Sequence, residues 1–244
     1  MLPLREVRLT WPTPRPSTYP WNLTVLEHLN VLSFPTAVTF FIGDNGSGKS
    51  TILESLAIAS GFNPEGGSRH AAYHAAHTDG QLSQAMRLTW NHKALHGFFF
   101  RAESFFSYAS YLEELEDDSV FASYGGKSLH QQSHGESFLS LFRNRLQPRS
   151  SALYLFDEPE SALSITGQLA FLRLLKQWSG TGQTQVIIAT HSPILLAFPG
   201  ATIYSFDAAP ITSIRYEDST PYQLTLSFLK SPDVFLRELF RDND

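Results

Sequence analysis

Cysteine is absent from the chain, which removes every disulfide and every thiolate metal site and leaves the redox compartment unreadable. Charge is sparse and leans acidic. With 18 Lys and Arg against 23 Asp and Glu, the net charge is −5, so nothing in the bulk composition draws the chain to nucleic acid. Long apolar runs are missing as well: no stretch reaches the about 18 consecutive apolar residues of a membrane helix. Met1 to Arg8 carries charges where a secretory leader would be apolar. Together these absences predict a soluble, cytoplasmic protein with no membrane segment of its own, although such a chain can still dock onto membrane subunits. Heptads, internal repeats and low-complexity tracts are also lacking. What remains is globular composition, 42% hydrophobic over 244 residues, enough for one α/β domain spanning 1–244.

One stretch organises that domain. Gly43-Asp44-Asn45-Gly46-Ser47-Gly48-Lys49-Ser50-Thr51 satisfies the phosphate-loop pattern, four residues between a glycine and Gly-Lys-Ser. Before it, Ala37 to Ile42 is a short β-branched and aromatic run bounded by Pro35, suited to a buried parallel strand. After it, Ser50 to Ala59 carries apolar residues at helical spacing and ends near Gly61. Glycines at 43, 46 and 48 let the backbone approach phosphates, so that successive N–H groups make an anion nest at a helix N-terminus. Lys49 supplies the point charge for the β- and γ-phosphates, and the Ser50 hydroxyl is the expected Mg²⁺ ligand.

The rest of the chain alternates in the manner of a mainly parallel sheet. Strands are expected at Leu4–Thr10, 85–91, 97–101, 151–156, 184–189, 201–206 and 211–217, with helices at 104–115, 136–146 and 165–178 and two short ones within 222–240. Trp11 to Pro20 holds four prolines and reads as a surface excursion. Residues 61–80 read as a loop, and 119–132 as the least ordered interior stretch. The acidic run at 113–118 reads as a solvated face.

Leu153-Tyr154-Leu155-Phe156-Asp157-Glu158 delivers two carboxylates at the end of an apolar strand. In a phosphate-loop site the strand's aspartate holds Mg²⁺, so Asp157 takes that role, and Glu158 is placed to orient or deprotonate the attacking water.

From Asp157 to Ser164 the sequence resembles the Walker B and D-loop of ATP-binding-cassette (ABC) ATPases. Ser133-His134-Gly135-Glu136, 24 residues before Asp157, resembles that family's signature, and Thr190-His191-Ser192-Pro193 resembles its switch histidine. The chain as a whole is similar to small stand-alone ATPases of the RecF, SMC and overcoming-lysogenization-defect branch. The resemblance implies an α/β phosphate-loop NTPase with a mixed, mainly parallel sheet flanked by helices and a small helical subdomain, the helical and signature insertion covering approximately 103–148. It also implies ATP as substrate, Mg²⁺ as cofactor and a head-to-tail homodimer. Ser133 and the Gly135 backbone would then contact the γ-phosphate held by the other subunit, His191 would contact it from the same subunit together with Glu158, and Asn45 would face the interface. Two departures stand out. His134 occupies a position the pattern gives to glycine. No glutamine follows a strand as a Q-loop ligand, which leaves Arg101 or Glu103 to substitute, with Gln81 and Gln84 as weaker candidates. Trp11, Tyr19 and Trp21 compete for the adenine-stacking role.

Other candidates carry less. His70, His74 and His77 have helical spacing that could gather a metal ion, but with no cysteine for a mixed ligand set a polar lid is preferred. Arg143, Arg145 and Arg149 could form a small basic face, against which the net charge of −5 favours a solvated surface. The leading function is an ATPase whose ATP-driven dimerisation acts in DNA maintenance or phage and plasmid defence, with DNA or a partner effector protein as its target. The alternative is the nucleotide-binding subunit of an ABC transporter. Against transport, the signature continues Glu136-Ser137-Phe138, and Glu160 stands where transporters usually place a small hydroxyl residue.

Overall fold

In a computed structural model the described residues are 1–67, 80–103, 134–146 and 151–241. The expected helix at 104–115, the stretch 119–132, the three histidines at 70, 74 and 77, Arg149 and Ser133 lie outside them.

The strands that read as continuous apolar runs form the centre of a six-stranded sheet. These are β3 (Val38–Ile42), β6 (Ala152–Asp157) and β7 (Thr184–Ala189), and every one of their residues is buried. Burial on both faces is what a parallel strand covered by helices requires. With β5 (His96–Arg101), β8 (Thr202–Ser205) and β9 (Thr212–Ile214), the order is β5-β6-β7-β3-β8-β9. All neighbours run parallel except β9, which pairs antiparallel with β8. A second, antiparallel sheet has the order β2-β1-β4, from β1 (Leu4–Leu9), β2 (Val31–Ser33) and β4 (Met86–Trp90).

Side-chain alternation along β6 sorts the core into two layers. Tyr154 and Phe156 point into an aromatic layer with Phe100, Phe142, Phe171 and Trp178, contributed by β5, by α3 (His134–Arg145) and by α4 (Ile165–Ser179). Phe142 packs edge-on against Phe156 at 5.1 Å, and Phe156 against Phe171 at 5.0 Å, the geometry that aromatic quadrupoles favour. Leu153 and Leu155 point the other way, toward Ile52, Leu53 and Leu56 of α1 (Lys49–Ala59) and Leu4, Val7 and Leu9 of β1. Gln185 stitches the two sheets together from inside this second layer. Fully buried, it accepts from the Leu4 N–H at 2.9 Å and donates to the Leu4 carbonyl at 3.0 Å.

Several expectations needed correction at their edges. The helix predicted from Glu136 begins two residues earlier, at His134, so Gly135 lies in its first turn, where N–H groups have no carbonyl partner inside the helix. The closing strand predicted over 211–217 stops at Ile214 and gives way to a 3₁₀ turn at Tyr216–Asp218. Three short elements were not expected: β2, α2 (Gln81–Ala85) and α5 (Pro193–Leu196). Each is five residues or fewer, too short to show a period. The chain closes with α6 (Thr220–Lys230) and α7 (Pro232–Leu239), parted at Ser231 as expected. Among the described residues no helix is long and apolar enough to cross a membrane.

Candidate active site

The phosphate loop joins β3 to α1, and its three glycines take positive φ: 146° at Gly43, 79° at Gly46 and 99° at Gly48. Two of them are needed for space as well. A Cβ on Gly43 would meet Ser47 Oγ at 2.9 Å, and one on Gly48 would meet Val25 at 3.0 Å. Asp44, Asn45 and Gly46 form the exposed tip, and Gly48 caps α1 in the left-handed conformation. Lys49 is buried, its ammonium donating to the Gly43 carbonyl at 2.7 Å and the Asp44 carbonyl at 3.0 Å. Burial pulls its pKa below the ordinary lysine value, while Glu158 and Asp157 pull it back up.

The next residue meets the Walker B strand. Ser50 Oγ donates to Asp157 Oδ1 at 2.9 Å across 107 residues of sequence. Burial pushes the Asp157 carboxyl up to about 6, against the lowering effects of the Ser50 hydroxyl and Arg101. Glu158 follows with φ 48° and ψ 54°, the one non-glycine with positive φ among the described residues. Its N–H is tied to the Ala189 carbonyl at 2.9 Å, which fixes the turn from outside. A left-handed glutamate costs about 1 kcal/mol or more, and such strain collects where a side chain must be aimed. Here it aims Glu158 at His191, whose Nε2 stands 3.6 Å from Glu158 Oε1. That distance is just beyond hydrogen-bond range. His191 is held in turn by Glu160, whose carboxylate accepts its backbone N–H at 2.6 Å. Burial raises the Glu160 pKa.

Clefts open on both sides of the loop. One, of about 440 Å³, is lined by Ser50, Arg101, Asp157, Glu158 and Phe138. The other, of about 630 Å³, is lined by Tyr19, Leu23, Asn45, Ser47 and Asp207, and falls in the size range of small-molecule sites.

The comparisons agree with this geometry. A family model described as "AAA domain, putative AbiEii toxin, Type IV TA system" matches residues 137–197, and one described as "AAA domain" matches 22–108. The chain is 28% identical over 203 residues to an uncharacterized ABC transporter ATP-binding protein of Haemophilus influenzae, covering 75% of each. It is 29% identical over 192 residues to the hemin import ATP-binding protein HmuV of Chelativorans sp., covering 71% of this chain and 73% of that one. In fold it is similar to cbiO1 from Clostridium perfringens, part of the ABC transporter complex cbiONQ, with a TM-score of 0.52 and 14% identity over 97% of this chain and 99% of that one. The chain is similar to P-loop ATPases of the ABC type.

Most predicted site residues of the ATPase come together. The loop from Gly43 to Thr51, Asp157, Glu158 and His191 converge at the carboxyl ends of β3, β6 and β7, where open α/β sheets bind ligands. Gly135 sits in the first turn of α3, and the partner of the signature stretch, Ser133, is outside the described residues. The aromatic alternatives separate cleanly. Trp21 is buried and donates to Gln81 Oε1 at 3.2 Å, which also occupies that glutamine, while Trp11 packs on Trp21 and under Arg15. Tyr19 alone of the three lines the larger cleft, its hydroxyl 2.9 Å from Thr51 Oγ1. Of the Q-loop substitutes, Arg101 points at Asp157, whereas the Glu103 side chain is 89% exposed. Arg143 is exposed on α3.

Asp207 was not anticipated. It lies two residues past β8, the strand beside β3, and its carboxylate accepts the Asp44 N–H at 3.0 Å, bracing the loop. An acid just past the strand that follows His191 was the available signal.

Proposed function

We propose that the ATPase hydrolyses Mg²⁺-bound ATP as a nucleotide-gated head-to-tail homodimer serving DNA maintenance or phage and plasmid defence. The observation that carries the catalytic part is the Ser50–Asp157 hydrogen bond with Glu158 and His191 facing each other beside it. A hydroxyl and a buried carboxylate are hard oxygen donors, the set a magnesium ion takes, so Ser50 and Asp157 would hold the metal. When bound, magnesium neutralises phosphate charge. The residues of the chain do the rest: the N–H groups of the loop from Gly43 to Thr51 and Lys49 bind the phosphates, Glu158 orients water and takes its proton, and His191 contacts the γ-phosphate.

The dimer follows from having one phosphate loop and one Ser133-to-Glu136 stretch in a chain that resembles ABC ATPases, where the two come from different subunits. Ser133 and Gly135 would close on the γ-phosphate bound by Lys49 of the other copy. For the cellular role, the family description naming a toxin–antitoxin system supports defence. A second reading, the ATP-binding subunit of a transporter, is supported by the names of the relatives above. ATPase rates with and without duplex and single-stranded DNA separate them. The DNA reading expects stimulation that falls steeply between about 50 and 200 mM salt. A rate indifferent to both nucleic acids favours the transporter reading.

A further inference from the structure

We propose that the Arg101 guanidinium is a built-in counter-charge to Asp157 that makes ATP binding less dependent on magnesium. The inference rests on reading Ser50 and Asp157 as the metal-holding pair, and it adds a residue that tunes them. Arg101 ends β5 at the edge of the sheet, in register with Asp157 of β6. Its guanidinium is anchored from behind: Nη1 donates to Glu54 Oε2 of α1 at 3.1 Å and to the Pro64 carbonyl at 3.3 Å. Both the Arg101 and Glu54 side chains are only 16% exposed, so the pair is sheltered and not a loose surface contact.

The forward edge of the guanidinium is the telling part. Arg101 Nε is buried, has no hydrogen-bond partner among the described residues, and stands 3.9 Å from Asp157 Oδ2. Ser50 occupies the other Asp157 oxygen. The smaller cleft therefore holds a fixed cation facing the carboxylate that a divalent ion would need, with Glu158 on the same wall. A guanidinium cannot shed its proton to make way, and its anchor on Glu54 keeps it from swinging out. Two consequences follow from Coulomb's law at this range. Without metal, Arg101 offsets the Asp157 and Glu158 carboxylates and lets a polyanionic nucleotide approach. With metal, the same charge opposes a second cation on Asp157, so the gain from magnesium is reduced.

The test is equilibrium binding of ATP in excess chelator and in saturating Mg²⁺, taking the ratio of the two dissociation constants. Arg101→Gln should raise that ratio roughly tenfold or more, through weaker metal-free binding and a lower Mg²⁺ half-point. The double variant Glu54→Gln, Arg101→Gln should do the same without leaving a sheltered carboxylate unpaired, which keeps the test open if the single variant folds poorly. Arg101→Lys, which retains the charge, should hold the ratio within about threefold of wild type. An unchanged ratio in the neutral variants, or a ratio in Arg101→Lys as altered as in Arg101→Gln, overturns the counter-charge. If the wild type binds no ATP even with Mg²⁺, the nucleotide-site reading falls and the inference with it.

Discussion

Lys49 is the only cation in the loop from Gly43 to Thr51, and the fold has already taken it out of water. Its ammonium is held by two carbonyls of the loop itself, so the charge is positioned before any ligand arrives. Lys49→Ala should abolish measurable ATP binding in a fluorescence or calorimetric titration, and near wild-type affinity would remove the residue from the site. Asp157 is strained in a different way. A carboxyl whose pKa is raised is one that the folded state prefers protonated. Its stabilising contribution is therefore present below the ordinary value of 3.8, declines as pH rises toward about 6, and is gone above that. Replacing it with asparagine removes the buried charge. In nucleotide-free protein Asp157→Asn should accordingly raise stability at pH 7.5 by roughly 3 kcal/mol at most, with the gain shrinking below pH 5. The same variant should flatten the Mg²⁺ dependence of ATP affinity. A melting temperature shifted equally at both pH values would refute the burial account of this carboxyl.

Elements were legible in the sequence in proportion to how much of their own structure they determine. β3, β6 and β7 announce themselves because a strand buried on both faces needs an apolar residue at every position. Helix α4 does so through its one apolar stripe and its Ser164 cap, which accepts the Gly167 N–H. The phosphate loop and the Asp157-Glu158 pair were readable for the same reason: their chemistry is carried by adjacent residues. What the sequence did not disclose is long-range. The Arg101 pairing with Glu54 spans 47 residues, Asp207 reaches back 163 to Asp44, and Gln185 reaches 181 to Leu4. No local pattern encodes such meetings, since they exist only once the sheet has ordered its strands. Gln185 makes the point testable. Gln185→Leu keeps the volume but leaves the Leu4 N–H and carbonyl buried without partners, which should cost about 2–4 kcal/mol. Urea unfolding should show a lower midpoint with an unchanged slope. A midpoint equal to wild type would mean that the antiparallel sheet is held by its apolar layer alone.

At the scale of the whole molecule, the proposed mechanism takes from one chain a phosphate loop, Ser50 and Asp157 as the metal-holding pair, Glu158 as base and His191 as switch histidine, and one signature stretch that its resemblance assigns to another subunit's nucleotide. On this account the γ-phosphate bridges two copies, so binding and association are linked and hydrolysis releases them. Gly135→Asp, which puts a carboxylate in the first turn of α3, should leave ATP binding by the single chain nearly intact while suppressing turnover. The Glu158→Gln protein carries the decisive signature, because it keeps every phosphate contact but cannot take the proton from water. Light scattering of that variant at tens of micromolar with ATP and Mg²⁺ should show a species of twice the 27.3 kDa chain mass that reverts to the monomer when ATP is replaced by ADP. A Glu158→Gln protein that binds ATP yet stays monomeric would contradict the shared-site mechanism and leave a nucleotide site confined to one chain.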